Sequence, residues 1–178
     1  MSSYKVVEFD HFTTEIACCG GLDSMDRIEM VQEYVDNILQ STVNEIERKC
    51  GYKHLYGVSQ ACAILAMKRN ENVELAMIAG LLHDIYTYKM LDSADHAHKG
   101  SLLAKEILSS IGSFSSHEID KISQAIYNHS DKTNIDTLFD EIIKDADVLQ
   151  HCLYNPLAHV AEHEKDRFRM LKEELGLV

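Results

Sequence analysis

Histidine and aspartate residues at several separated positions of this sequence have the chemistry of a divalent-cation site. His83 and Asp84 are adjacent near the end of the apolar run VELAMIAGLLHDI, at residues 73–85. A buried His-Asp pair is costly without partners, whereas an imidazole nitrogen beside a hard carboxylate oxygen suits a divalent metal ion. The same dipeptide could instead cap a helix end, because so short a motif is weak evidence alone. The interpretation therefore depends on further ligands elsewhere in the chain.

Further candidate ligands lie on other predicted helices. His54 shares an apolar face with the residues that follow it, and Asp147 lies beside an apolar stripe in the segment KDADVLQ, where Asp145 is a close rival. His129 continues a stripe of isoleucines and should face the interior, and His96 is another candidate. Metal sites in helical bundles collect their ligands from facing helices in this way.

The elements that must position these side chains are helices. Apolar residues recur with helical spacing in six stretches. The first stretch begins at Arg27, the second begins near His54 and the third covers residues 73–85. The fourth stops at Gly112, the fifth opens with a Ser115–Glu118 capping box, and the sixth carries Ile142, Ala146, Leu149 and Leu153. No segment alternates for long with the period of two that is typical of strands. The sequence therefore predicts an all-α, single-domain helical bundle.

Length, composition and charge restrict the function. The chain has 178 residues, 46% of them hydrophobic, and no run of eighteen apolar residues, so we expect one domain, no membrane span and no signal peptide. The net charge of -12 disfavours a nucleic-acid polymer as partner, although a bound cation would still permit a small nucleotide. Five cysteines without a C-x-x-C spacing favour a reducing, cytoplasmic compartment over a disulfide framework.

The predicted domain organisation is simple. Residues 1–24 are expected to form an N-terminal extension, in which residues 4–10 could be a short edge strand, and residues 25–178 the helical domain, with its core at about 50–155. The tail at 158–174 is charged and amphipathic. Together with the extension it could build a homodimer.

Taken in order along the chain, these segments resemble the HD superfamily of metal-dependent phosphohydrolases. The H…HD…D order reads YKHLYGVSQACAILA, then AGLLHDIYTYK, then IIKDADVLQ. The segments DHAHKGSLLAKEIL and AIYNHS are similar to the extra-histidine positions of HD proteins that hold two metals. The resemblance covers roughly residues 50 to 155 and implies a helical bundle of the HD-domain type.

The resemblance also implies a ligand set. The first metal would be held by His54, His83, Asp84 and Asp147, with the His83–Asp84 pair at the centre of catalysis. Asp84 would bridge to a second metal held by His96 and His129. His96 is preferred because the family places this histidine four residues before a small residue, here Gly100. Asp147 is preferred over Asp145 because the aspartate of the AD pair matches the family position.

The implied substrate is a small phosphorylated molecule, with a nucleotide as one candidate. One or two divalent transition metals (Mn, Fe, Ni, Co or Zn) would activate water for its hydrolysis. Lys99 could neutralise substrate phosphate, and His98 is either the alternative to His96 or a phosphate contact. Two other functions stay open: a di-iron oxygenase on the same fold, and a non-enzymatic metal- or nucleotide-binding module.

Overall fold

The structure is a computed structural model that describes residues 26–177, and within that range it contains eight α-helices, one 3-10 turn and no strand. The α-helices are α1 (Arg27–Ser41), α2 (Glu45–Arg69), α3 (Val73–Leu82), α4 (Ile85–Met90), α5 (His96–Ile111), α6 (Ser116–Asn128), α7 (Leu138–Tyr154) and α8 (Lys165–Leu175). The 3-10 turn, Glu162–Glu164, precedes α8. The prediction of an all-α bundle is confirmed. The predicted N-terminal extension, residues 1–24, and the strand suggested within it at 4–10 lie outside the described residues.

Local capping explains where most helices begin and end. The predicted box at Ser115 and Glu118 is present at the start of α6, and Asp26 forms an equivalent box at the start of α1. Gly112 ends α5 with φ 75°, a left-handed conformation that glycine adopts without a Cβ penalty. These caps satisfy backbone groups that the helices themselves leave unpaired.

The prediction that the second helix begins near His54 is wrong. Helix α2 begins nine residues earlier, at Glu45, where the Asn44 side chain accepts hydrogen bonds from the first-turn backbone N–H groups. The first turns of α2 are mostly exposed and charged, so the apolar pattern used for the prediction is absent there. His54 consequently lies in the interior of α2, with helical turns both before and after it.

Helix α3 is the centre of the bundle. Seven of its ten residues are buried, as the uninterrupted apolar run predicts. It contacts α2 so closely that a Cβ on Gly80 would lie 2.8 Å from Ser59 Cα. Helix α7 completes the core with Ile142, Ala146 and Leu149, whereas Leu153 is 48% exposed and does not continue the stripe as predicted. This close packing fixes the end of α3, where His83 and Asp84 follow.

Helix α8 has one buried residue, Leu171, with Phe168 and Leu175 partly buried against the core, and ion pairs add to its attachment. The Asp145 carboxylate of α7 forms ion pairs with Arg69 of α2 and Arg167 of α8, with nitrogen–oxygen distances of 2.6 Å in both. Arg69 also forms an ion pair with Glu174 at 2.7 Å. Arginine forks hold carboxylates in fixed geometry. The C-terminal segment is therefore docked against α2 and α7. No helix among residues 26–177 combines the length and apolar character needed to cross a bilayer.

We expect Gly80→Ala to lower the free energy of unfolding by about 1–3 kcal/mol, because its Cβ would push α3 away from the α2 backbone. Urea unfolding followed by circular dichroism measures this. Gly112→Ala is the matched control: nothing lies within 4 Å of its Cβ, so only the left-handed backbone costs about 1 kcal/mol. An equal or smaller loss for Gly80→Ala would contradict the close α2–α3 contact.

Candidate metal centre

The helical conformation is interrupted between α3 and α4, and at this break the side chains of His83 and Asp84 point into the bundle. His83 ends α3 and is fully buried, and Asp84 follows with φ -113° and ψ 13°, in the sparsely populated bridge region. The Asp84 side chain makes no capping hydrogen bond to α4. The capping alternative therefore does not hold for the Asp84 side chain, although His83 Nδ1 contacts the Gly80 carbonyl at the end of α3. The Asp84 carboxylate is available for another role.

Four side chains from three parts of the fold meet at this break: His54, His83, Asp84 and Asp147. His54 Nε2 lies 3.0 Å from His83 Nε2, 3.4 Å from Asp84 Oδ2 and 3.5 Å from Asp147 Oδ1. His83 Nε2 lies 3.5 Å from Asp84 Oδ2 and 3.8 Å from Asp147 Oδ1. Metal–ligand bonds of about 2.0–2.2 Å separate neighbouring tetrahedral ligand atoms by roughly 3.3–3.6 Å. The spacing of the two imidazoles from each other and from both carboxylates suits a cation among these side chains.

A second group lies on the other side of Asp84. His96 at the start of α5 and His129 at the end of α6 each place Nε2 3.4 Å from Asp84 Oδ1. The two oxygens of Asp84 thus face two different pairs of imidazoles. His98 is not part of this group, because its Nδ1 contacts Asp95 at 3.0 Å and its ring stacks on Tyr127.

The four imidazoles of the two groups share one orientation. Each places Nδ1 against an oxygen acceptor: Gln150 Oε1 for His54 (2.8 Å), Gly80 O for His83 (2.8 Å), Ser93 O for His96 (3.0 Å) and Ile126 O for His129 (2.6 Å). An oxygen acceptor assigns the proton of a neutral imidazole to Nδ1, which leaves the Nε2 lone pair facing inward. Metal-binding histidines are oriented in this way by their outer hydrogen bonds.

Burial and charge set the protonation of the cluster. Burial lowers the pKa of His83 to about 3, so this imidazole stays neutral at physiological pH. Burial alone would raise the pKa of Asp84 and Asp147, but positive charge nearby, from the Lys132 ammonium at Asp147 and from the surrounding imidazoles when they are protonated, holds both pKa values below the ordinary range. Burial would lower the pKa of His54, yet its contacts with the two carboxylates raise it.

Two carboxylate oxygens in the cluster are left without a donor. Asp84 Oδ1 and Asp147 Oδ1 are buried and accept no hydrogen bond from the part of the chain that the structure describes. A buried ionised oxygen without a partner is costly, and a cation removes that cost. Inward lone pairs and unpartnered carboxylate oxygens together fit a divalent metal.

Asp145, the sequence rival of Asp147, has a different environment. It forms the Arg69–Arg167 contacts that dock α8. Two residues apart on a helix, the two aspartates point to different faces, so only one of them can reach the cluster. Lys99 also lies apart from the cluster, since its ammonium contacts Asp92 at 3.3 Å and lies over the Tyr86 ring.

Sequence reasoning missed a lysine that belongs to the site. Lys132, in the loop after α6, places Nζ 2.6 Å from Asp147 Oδ2 and 2.8 Å from His129 O, with a side chain only 9% exposed. The sequence around Lys132 carries no signal that would distinguish it from a solvent-exposed loop lysine. Sequence reasoning also gave no role to His151, although its position four residues after Asp147 places both on one helix face.

Two clefts open onto the cluster, and Asp84 and His151 line both. The first, about 340 Å³, is walled by Tyr88 and Tyr154 and carries Lys53 at its edge. The second, about 420 Å³, lies at the loop that follows α6 and includes Lys132. Both volumes are in the range of small-molecule sites.

Comparisons with known proteins bear on the same segments. The family model of the HD domain matches residues 51–151. A crystal structure of a predicted HD superfamily hydrolase from an uncultured Thermotogales bacterium resembles the chain with a TM-score of 0.55 and 22% sequence identity, over 82% of this chain and 89% of that one. At this identity the likeness concerns the fold. No curated protein matches the sequence significantly.

We expect Mn²⁺ to raise the melting temperature, because a cation would relieve the unpartnered carboxylate oxygens. At about 100 times the dissociation constant, binding adds about 2.7 kcal/mol, which corresponds to a rise of roughly 5–10 °C. Asp84→Asn, which keeps the shape and removes the charge, should lose most of this rise, while His98→Ala should keep it. Scanning calorimetry with and without Mn²⁺ measures the difference, and equal rises in wild type and Asp84→Asn would contradict the assignment.

Proposed function

Because the chain belongs to the HD-domain family, whose members bind divalent metals, we propose that it is a metal-dependent phosphohydrolase acting on a small phosphorylated substrate. A nucleotide is one candidate. The observation that carries the proposal is the set of inward donors around Asp84: four imidazole Nε2 atoms and two carboxylates, brought together from helices distant in sequence. Hydrogen bonds on the outer nitrogens orient the rings toward the centre of the cluster, which supports the proposal of a bound metal.

The proposed ligand set has two parts that share one residue. The first metal is held by His54, His83, Asp84 and Asp147, and the second by Asp84, His96 and His129. Manganese, iron, cobalt, nickel and zinc all accept nitrogen and carboxylate donors of this kind. When bound, such cations supply a nucleophile from water at neutral pH and polarise phosphoryl oxygens.

Lys132 is proposed as the phosphate contact. Its ammonium group has three donors, of which Asp147 and the His129 carbonyl use two within the described chain. The third is assigned to a phosphoryl oxygen entering from the second cleft, which Lys132 lines. This replaces the sequence-based suggestion of Lys99 and His98, because both have partners away from the cluster.

Charge and cavity shape support a small substrate. A net charge of -12 repels long polyanions, so the positive charge needed for phosphate binding has to be local. Tyr88 and Tyr154 offer aromatic surface in the first cleft, where a planar group such as a nucleobase could stack. His151 and Asp84, shared by both clefts, mark the place proposed for the phosphoryl group.

The proposal is tested by phosphate release from a panel of nucleotides and phosphomonoesters, with Mn²⁺, Fe²⁺ or Co²⁺ present. We expect at least one substrate to be hydrolysed, with a loss of about 100-fold or more in kcat for Asp84→Asn and little change for His98→Ala. Dioxygen uptake by the iron-loaded protein without phosphate release would favour the oxygenase alternative. Metal binding with neither activity would favour a non-enzymatic module.

We expect Lys132→Ala to lower kcat/KM for a hydrolysed substrate by about 10–100-fold, since a hydrogen bond to a charged group contributes about 1.5–3 kcal/mol. Lys99→Ala is the matched control, because this lysine is paired with Asp92 outside the cluster. Steady-state kinetics at saturating metal separate the two variants. Equal kinetics for Lys132→Ala and wild type would remove Lys132 from the phosphate site.

A further inference from the structure

A fifth imidazole, that of His151, lies at the cluster and has no place in the six-residue ligand set. His151 is on α7, one turn after Asp147, and its Nε2 lies 3.4 Å from Asp147 Oδ1. Its ring stacks on that of His54, with centroids 5.1 Å apart and planes 11° apart. The side chain is 46% exposed, because it lines both clefts.

A buried carboxylate sets the orientation of this ring. His151 Nδ1 lies 3.0 Å from Glu164 Oε1, and the Glu164 side chain is only 8% exposed. His151 therefore repeats the arrangement of the other four imidazoles, with an acceptor on Nδ1 and Nε2 facing inward. A carboxylate on the outer nitrogen is the arrangement that orients many metal-binding histidines.

The inner contact of His151 needs a positive partner. With its proton on Nδ1, His151 presents a lone pair to Asp147 Oδ1, and that oxygen accepts no hydrogen bond from residues 26–177. A lone pair and an ionised oxygen repel each other at this distance unless a cation binds both. One ring nitrogen of His54, one ring nitrogen of His151 and a carboxylate oxygen of Asp147 lie within 4.8 Å of one another.

We infer that His151 is a seventh metal ligand of this chain, adding its Nε2 to the cation held by His54, His83, Asp84 and Asp147. The inference rests on the metal centre of the proposed function. His151 lines both clefts, so the ligand that it would add lies on the side of the cluster that a substrate would approach. Glu164, in the 3-10 turn before α8, is then a positioning residue that fixes the ring without touching the cation.

Calorimetric titration of Co²⁺ into the metal-free full-length chain tests the inference, together with the visible absorption of bound Co²⁺, which reports coordination number. We expect His151→Ala to weaken the tighter site by about 10–100-fold and to change the cobalt spectrum. Glu164→Gln should weaken binding by about 10-fold, the lower end of the effect of losing an outer partner, without removing the ligand, so its spectrum should stay close to that of wild type. His98→Ala, an exposed histidine outside the cluster, should match wild type in both measurements.

Three results would overturn the inference. An unchanged affinity and spectrum for His151→Ala would show that this ring does not reach the cation. Tighter cobalt binding in His151→Ala would show that His151 is instead an imidazolium paired with Asp147 and Glu164, because removal of a positive charge favours a cation. A wild-type chain that binds no cobalt would overturn both the inference and the metal centre, whereas tight binding without any hydrolysis would count only against the proposed function.

Discussion

Two ionised carboxylates surrounded by inward-facing imidazole lone pairs are the constraint on which this structure depends. Asp84 and Asp147 have pKa values below the ordinary range despite their burial, and each has an oxygen that accepts no hydrogen bond from the described residues. Such an arrangement is unfavourable without a cation, and it exists because the rest of the fold holds it together. The central helix, the break after His83 and the close α2–α3 contact all serve to hold these groups in place.

Backbone carbonyls at helix ends orient two of the histidine rings at this centre. The last carbonyls of a helix have no partner within the helix, and a histidine at that end can use one of them. His83 does this with Gly80 O at the end of α3, and His129 with Ile126 O at the end of α6. Backbone carbonyls at the helix ends thus orient these two imidazoles, and no additional side chain is needed for either ring. His54, inside α2, has no free carbonyl and uses Gln150.

Features that follow from local sequence patterns could be predicted, whereas contacts between residues distant in sequence could not. The apolar run of α3 and the capping box at Ser115 follow local rules, and both are present. The start of α2 was missed because its exposed turns carry no apolar stripe. The position of Lys132 depends on how a loop folds back over α7, and the ion pairs of Asp145 depend on two arginines distant in sequence. Neither contact leaves a periodic signal.

The attachment of α8 has a consequence for the temperature range in which the site stays assembled. A helix with one fully buried apolar residue, held in part by ion pairs, is expected to open at a lower free energy than the bundle. Opening of α8 would withdraw Glu164 from His151 while α2, α3 and α7 stay folded. Heating would then impair the centre through partial undocking of the C-terminus before global melting, so activity and bulk unfolding would have different thermal limits.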